Sequence, residues 1–248
     1  MIKLENVSVF YDKKQVVKNI SFNLESNKNL SIIGTNGCGK TTILKAICNI
    51  IDFTGEIFIK GKNIKEYKRK ELAKHISMFS QISNIYFNYT VYDVIMMGRY
   101  AYNNCKDKDV KKVEEALKIT GIFDIKNREI DTLSGGQLQR VMLAKIIAQD
   151  TEIILLDEPT NHLDLRYQAE IIKFLKDWSY KNKKTIVGVL HDINLAMLLT
   201  DNIMLIDKGQ IIKYGKTKEV LLSNEINNVY KMDIKDYMLK SLNKWQNI

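Results

Sequence analysis

The residues Gly34-Thr35-Asn36-Gly37-Cys38-Gly39-Lys40-Thr41-Thr42 have the spacing G-x-x-x-x-G-K-[ST]. An apolar run at 30–33 reads as a buried strand before them, and 41–50 reads as a helix after them. A glycine-rich turn between strand and helix is the setting in which this spacing cradles phosphate. Gly34, Gly37 and Gly39 allow a tight turn and a close approach of backbone to anionic oxygens. The freed N–H groups point into a concavity at a helix N-terminus, where the dipole favours negative charge. Lys40 adds a point charge for the outer phosphates of a nucleoside triphosphate, and the Thr41 hydroxyl is placed to hold Mg2+.

Two further stretches carry matching chemistry. Ile153-Ile154-Leu155-Leu156-Asp157-Glu158-Pro159 is an apolar strand ending in two carboxylates. A buried strand presents them at the carboxyl edge of a parallel sheet, where ligands sit. Asp157 suits a Mg2+ role through a bound water, and Glu158 suits a base or orienter for an attacking water. Pro159 has no N–H to donate, so the strand can stop there. In Leu133-Ser134-Gly135-Gly136-Gln137-Leu138-Gln139-Arg140, Ser134 is a good N-cap, and two glycines at the helix mouth would admit a phosphate. The chain already has one phosphate cradle. A second one requires a different phosphate or a different copy of the chain.

These groups need a scaffold. Residues 1–24 alternate apolar and polar and read as two or three antiparallel strands, with Tyr11 at the lip of a turn at 10–14. Strands are expected at 30–33, 55–61, 76–79, 152–157 and 185–190. Helices are expected at 41–50, 69–74, 165–181 and 192–199. A hairpin crosses Lys208-Gly209, and two short helices fill 217–230. Between about 82 and 150 the pattern is helical, at 91–97, 110–120 and 137–148. The expectation is an α/β fold: one P-loop NTPase domain over 1–248, with an antiparallel β subdomain and an inserted α-helical subdomain at about 82–150.

A hydrophobic content of 45% and a charged content of 27% fit an ordinary soluble globular chain. No apolar run approaches the ~18 residues of a membrane helix. Met1-Ile2-Lys3-Leu4-Glu5-Asn6 lacks an apolar signal segment, so a cytoplasmic protein is expected. Cys38, Cys48 and Cys105 form neither a metal spacing nor a disulfide framework. The net charge of +9, with lysine clusters at 65–74, 106–112 and 181–184, leaves a nucleic-acid footprint open. The clusters lack interleaved aromatics and glycines. A solvated basic face, or one turned to anionic lipid, is the favoured reading.

Together these motifs resemble the nucleotide-binding subunit of an ATP-binding-cassette transporter, over essentially the full length. The resemblance implies a head-to-tail homodimer that sandwiches two ATP, with Mg2+. The signature of one copy closes over the γ-phosphate held by the other. Tyr11 matches the aromatic that stacks on adenine, and Gly34 to Thr42 match the phosphate loop. Gln81 matches the glutamine that touches Mg2+ and water and senses the membrane partner. Ser134, Gly135, Gly136 and Gln137 match the signature. Asp157 and Glu158 match the metal-binding and catalytic carboxylates. Asp164, in Asn161-His162-Leu163-Asp164, matches the loop that crosses the dimer interface. His191 matches the switch histidine at the γ-phosphate. Thr35 stands where proline is frequent, and Cys38 where serine or alanine is. Neither change removes a backbone donor, so nucleotide binding is expected to survive. Cys38 lies beside a helix N-terminus and Lys40, so a lowered thiol pKa is expected, with maleimide blocking activity and ATP protecting.

Thr90-Val91-Tyr92-Asp93-Val94, Met97-Gly98-Arg99-Tyr100 and Val189-Leu190-His191-Asp192-Ile193-Asn194-Leu195-Ala196 are similar to the ATPase subunits of importers for iron chelates (siderophores), haem and cobalamin. That likeness implies integral-membrane permease subunits, an extracytoplasmic substrate-binding protein, a peripheral place on the cytoplasmic face of the membrane, and no nucleic acid. The alternatives are another importer, an exporter or lipoprotein-release ATPase, and a non-membrane cassette ATPase acting on ribosome or DNA. The last class usually carries tandem cassettes or a long coiled-coil insertion, and this chain has neither.

Overall fold

The computed structural model describes residues 1–80, 89–102, 106–161 and 163–246. Gln81, Cys105 and His162 lie outside the described residues. The first part of the chain forms β1 (Ile2–Tyr11), β2 (Lys14–Leu24), β3 (Leu30–Gly34), α1 (Lys40–Ile47), β4 (Thr54–Ile59), β5 (Lys62–Asn63), α2 (Arg69–Leu72) and β6 (Ile76–Phe79). Then come α3 (Val91–Met96), α4 (Lys106–Ile119) and α5 (Gly135–Gln149). Alternation resumes with β7 (Ile153–Asp157), α6 (Leu165–Lys181), β8 (Thr185–Val189), α7 (Ile193–Leu199), β9 (Asn202–Asp207) and β10 (Gln210–Lys216). Helices α8 (Thr217–Leu221), α9 (Asn224–Tyr230) and α10 (Ile234–Gln246) follow.

One sheet is antiparallel, in the order β2-β1-β4-β5; the other runs β10-β9-β3-β8-β7-β6. In the second sheet β3 lies parallel between β9 and β8, β7 lies parallel between β8 and β6, and β10 pairs antiparallel with β9. The central strands are mostly apolar, with Ser31 and Thr185 buried among the aliphatic residues, because both their faces are buried. Leu30, Ile32, Ile153, Leu155, Val187 and Val189 pack with α1 and the antiparallel sheet. Their neighbours Ile33, Ile154, Leu156 and Ile186 pack on the other side, with α6 and α7. That period of two sends alternate side chains to opposite faces.

Helices α3, α4 and α5 bury a cluster of their own, including Val91, Val94, Val113, Leu117, Val141 and Ala144. Arg99 is held there by Asp109 at 2.7 Å and also donates to the Ala148 carbonyl at 2.7 Å. Both side chains are buried, so removing one partner would strand the other charge. Residues 1–24 form two strands, not three. A third helix, α10, follows the two expected at 217–230.

Candidate active site

β3 ends at Gly34 in the middle of the parallel sheet, so the loop leaves from the carboxyl edge. Gly34 has φ 149°, and a Cβ there would lie 2.0 Å from the Ile206 carbonyl oxygen. Only glycine fits this approach of the loop to β9. Gly39 is the N-cap of α1 at φ 105°, and no side chain caps the helix. The first-turn N–H groups are therefore available to an anion. Lys40 Nζ donates to the carbonyls of Gly34 (3.0 Å) and Thr35 (2.9 Å), which holds the ammonium against the loop. Thr35 Oγ1 donates to Asp207 Oδ1 at 3.2 Å. Proline would stiffen this position through its fixed φ; threonine ties it to the end of β9 instead.

The end of β7 faces this loop. Thr41 Oγ1 donates to Asp157 Oδ1 at 2.8 Å. Burial pushes the Asp157 carboxyl above its ordinary pKa, the Thr41 hydrogen bond opposes the rise, and the Glu158 charge adds to it. This oxygen-rich corner beside a phosphate cradle suits a hard divalent cation. Glu158 has φ 53°, a left-handed conformation rare outside glycine, and it stands directly before Pro159. Its N–H donates to the Val189 carbonyl at 3.1 Å, which ties the end of β7 to the end of β8. Two residues on, His191 Nε2 meets Glu158 Oε1, while Glu158 Oε2 accepts from Asn161 Nδ2. If Glu158 accepts here as a carboxylate, the contact requires the Nε2–H tautomer of His191. A cleft of about 500 Å³ joins Asn36, Gly37, Gly39, Lys40, Thr41, Thr42, Glu158 and His191. Val16, from β2, also lines it and was not singled out by the sequence. Tyr11 is exposed at the end of β1 and is not part of that lining.

The signature stretch lies elsewhere. Ser134 caps α5: its Oγ accepts from Gln137 N at 3.3 Å, and Gln137 Oε1 accepts from Ser134 N at 3.1 Å. A second cavity, about 480 Å³, is lined by Ser134, Gly136, Gln137 and Asp164, and shares no residue with the first. Asp164 caps α6 by accepting from Tyr167 N at 3.0 Å. A Cβ at Gly135 or Gly136 would meet nothing within 4 Å. Nothing among the described residues requires glycine there, although each costs a helix roughly 0.5–1 kcal/mol against alanine. Gln139 Nε2 donates to the Pro159 carbonyl, just after Glu158, and so ties α5 to the end of β7. The sequence marks Pro159 as a strand end and Gln139 as part of the signature stretch, but not the bond between them.

The expectation for Cys38 is corrected. Its side chain is 4% exposed, and burial pushes the thiol up, against the opposing pull of Lys40. The helix end and the lysine act in the anticipated direction, but burial outweighs them. In the native protein N-ethylmaleimide is expected to label Cys38 far more slowly than after unfolding, leaving ATPase activity intact. Fast, ATP-protected inactivation traced to Cys38 by peptide mapping would reverse this conclusion.

A family model described as ABC transporter matches residues 17–161, a span that holds the phosphate loop, the signature and both carboxylates. The chain belongs to the ABC transporter family. As an ABC ATPase it hydrolyses ATP. The chain is similar to the petrobactin import ATP-binding protein YclP of Bacillus subtilis (strain 168), 38% identical over 237 residues, covering 94% of each chain. Among solved structures it is similar to an inward-facing conformation of a putative metal-chelate type ABC transporter, with TM-score 0.80 and 29% identity, covering 93% of this chain and 88% of that one. It is also similar to a dimeric bacterial ABC transporter cassette, MJ0796, with TM-score 0.79 and 30% identity, covering 88% of this chain and 99% of that one. Among the described residues no helix of this ABC subunit is long and apolar enough to cross a membrane.

Proposed function

We propose that this chain is the ATPase subunit of an importer for an iron chelate of the siderophore class. The observation that carries the reading is the 38% identity to a petrobactin import subunit along 94% of both chains. In this reading the subunit is peripheral on the cytoplasmic face of the membrane. It serves a permease that is supplied by an extracytoplasmic substrate-binding protein. The division into an ATP-binding core, a β subdomain and a helical subdomain from about 82 to 150 belongs to the same proposal, supported by the separate cluster around α3, α4 and α5.

ATP lies in the cleft of the phosphate loop, with its phosphates on the free N–H groups at the start of α1 and on Lys40. Thr41 and Asp157, with Gln81, would hold Mg2+, which when bound neutralises charge on the transferred phosphoryl group. Glu158 accepts the proton of the attacking water, and His191 keeps Glu158 oriented toward it. Ser134, Gly135, Gly136 and Gln137 complete the site of a second copy, with Asp164 at the same interface. The support is the open space at both glycines and the separation of the two cavities within one chain. In this reading Tyr11 stacks on adenine, which its exposed place at the end of β1 supports.

A groove of about 580 Å³ lies between the end of α1, α2, β6 and α5. Ile50, Met97 and Tyr100 are exposed on it, and Tyr100 keeps 83% of its surface. In our reading this groove receives the permease. The test is reconstitution in vesicles with the permease and binding protein encoded beside the chain. A ferric siderophore on the binding protein is expected to stimulate ATP hydrolysis and its own uptake. Stimulation by haem or cobalamin, and not by any ferric siderophore, would reassign the cargo.

A further inference from the structure

Apolar and thioether side chains make the floor of that groove, among them Leu72, Met78, Met97 and Ala101. Its charged lining residues are Arg69, Lys70 and Lys145, and among the described residues no carboxylate lines it. Arg69 and Lys70 are exposed at its edge, where Lys70 Nζ sits 5.5 Å from the Tyr100 ring centre. Lys145 is different. It comes from the middle of α5 and is half-buried.

Gly98 fixes where Lys145 lies. A Cβ at Gly98 would come within 2.4 Å of the Lys145 carbonyl oxygen and 3.4 Å of Lys145 Cγ. The turn from Met97 to Tyr100 therefore rests directly on α5 at this lysine, which is confined to the groove. Two other half-buried lysines, Lys112 and Lys184, share Asp150 at 3.0 and 2.9 Å. Among the described residues, no carboxylate pairs with Lys145. Burial alone lowers its pKa, with no acidic neighbour to raise it. A cation drawn out of water without a partner is costly. An arriving anion would remove that cost.

We infer that the segment docking in this groove carries a carboxylate, an Asp or Glu side chain on an otherwise apolar helix of the permease, and that it pairs with Lys145. The inference rests on the permease-docking reading above. Three cations with no carboxylate among the described lining residues give the charge complementarity, and the thioether and aromatic side chains fit an apolar helix face. A flat anionic bilayer would meet Arg69 and Lys70 at the edge, but not Lys145 on the floor.

The experiment uses the intact complex of this chain with its permease in detergent. Tyr100 is replaced by photoreactive p-benzoylphenylalanine, and the cross-linked peptide is sequenced. In parallel, permease affinity and permease-free ATPase are measured for Lys145→Gln, Lys145→Arg and Tyr100→Ala. The expected result is a permease peptide containing Asp or Glu within one helical turn of the cross-link. Lys145→Gln should weaken permease binding by about tenfold or more with permease-free ATPase unchanged, and Lys145→Arg should restore it. Exchanging the permease carboxylate for lysine should rescue Lys145→Glu. If Tyr100→Ala weakens binding while Lys145→Gln does not, or the peptide has no acid, the carboxylate inference fails and docking stands. If Tyr100 finds no permease and the chain instead binds vesicles of phosphatidylglycerol, docking and carboxylate both fail.

Discussion

Glu158→Gln is expected to bind ATP at least as well as the wild-type chain and to lose turnover by about 10³-fold, the scale of a lost general base. The substitution keeps the length of the side chain and leaves the left-handed backbone at 158 as it is. It also removes one negative charge beside Asp157, which eases the approach of a polyphosphate. What it removes is the second acceptor. In the wild type both Glu158 oxygens accept hydrogen bonds, from His191 and from Asn161. Glutamine presents one acceptor and one NH2 group, so it cannot take a proton from water. ATP should accumulate unhydrolysed, and two copies should stay together. The measurements are steady-state phosphate release, nucleotide binding by fluorescence, and size-exclusion chromatography with ATP and Mg2+. Turnover within about fivefold of wild type, far short of what a base contributes, would remove Glu158 from that role.

Which parts of this arrangement were legible in the sequence follows from what each depends on. The phosphate loop and β7 rest on local rules: glycines at fixed offsets, and an unbroken apolar run ending in Asp157-Glu158. The sheet needs both faces of β3, β7 and β8 buried, and short, mostly aliphatic strands without polar alternation indicate it. The membership of Val16 in the cleft was not legible. It depends on β2 lying beside the loop, a contact between sheets that no local pattern encodes. Gln139 is similar, since its acceptor is twenty residues away. Cys38 shows the reverse case. Its local cues, Lys40 and the helix end, were read correctly, but burial is a property of the whole fold and decides the outcome. Helix α10 was missed because its apolar residues do not mark one buried face. Ile234 is buried and Met238 packs on the core, while Tyr237, Leu239 and Leu242 stay exposed.

The other large effect concerns a site shared between copies. Lys40→Ala and Gly136→Asp are each expected to abolish ATP hydrolysis when alone, and to regain it when mixed. Lys40→Ala removes the ammonium from the phosphate loop of its own chain. Gly136→Asp leaves that loop intact. A side chain at 136 meets nothing within 4 Å, and an acid in the first turn suits the dipole of α5, so the variant should fold. Its charge would instead repel a phosphate held by the other copy. In a mixed pair, the Gly136→Asp chain supplies a working phosphate loop and the Lys40→Ala chain a working signature, so one of two sites is whole. Random pairing makes half of the dimers mixed, which restores about a quarter of the wild-type sites. The readout is Mg-ADP trapped by added vanadate, which needs no turnover and so counts sites whether or not they must fire together. Full activity in Gly136→Asp alone, or no trapped nucleotide in mixed dimers confirmed by native mass spectrometry, would mean that each chain closes its own site. The open space at Gly135 and Gly136 would then need another explanation.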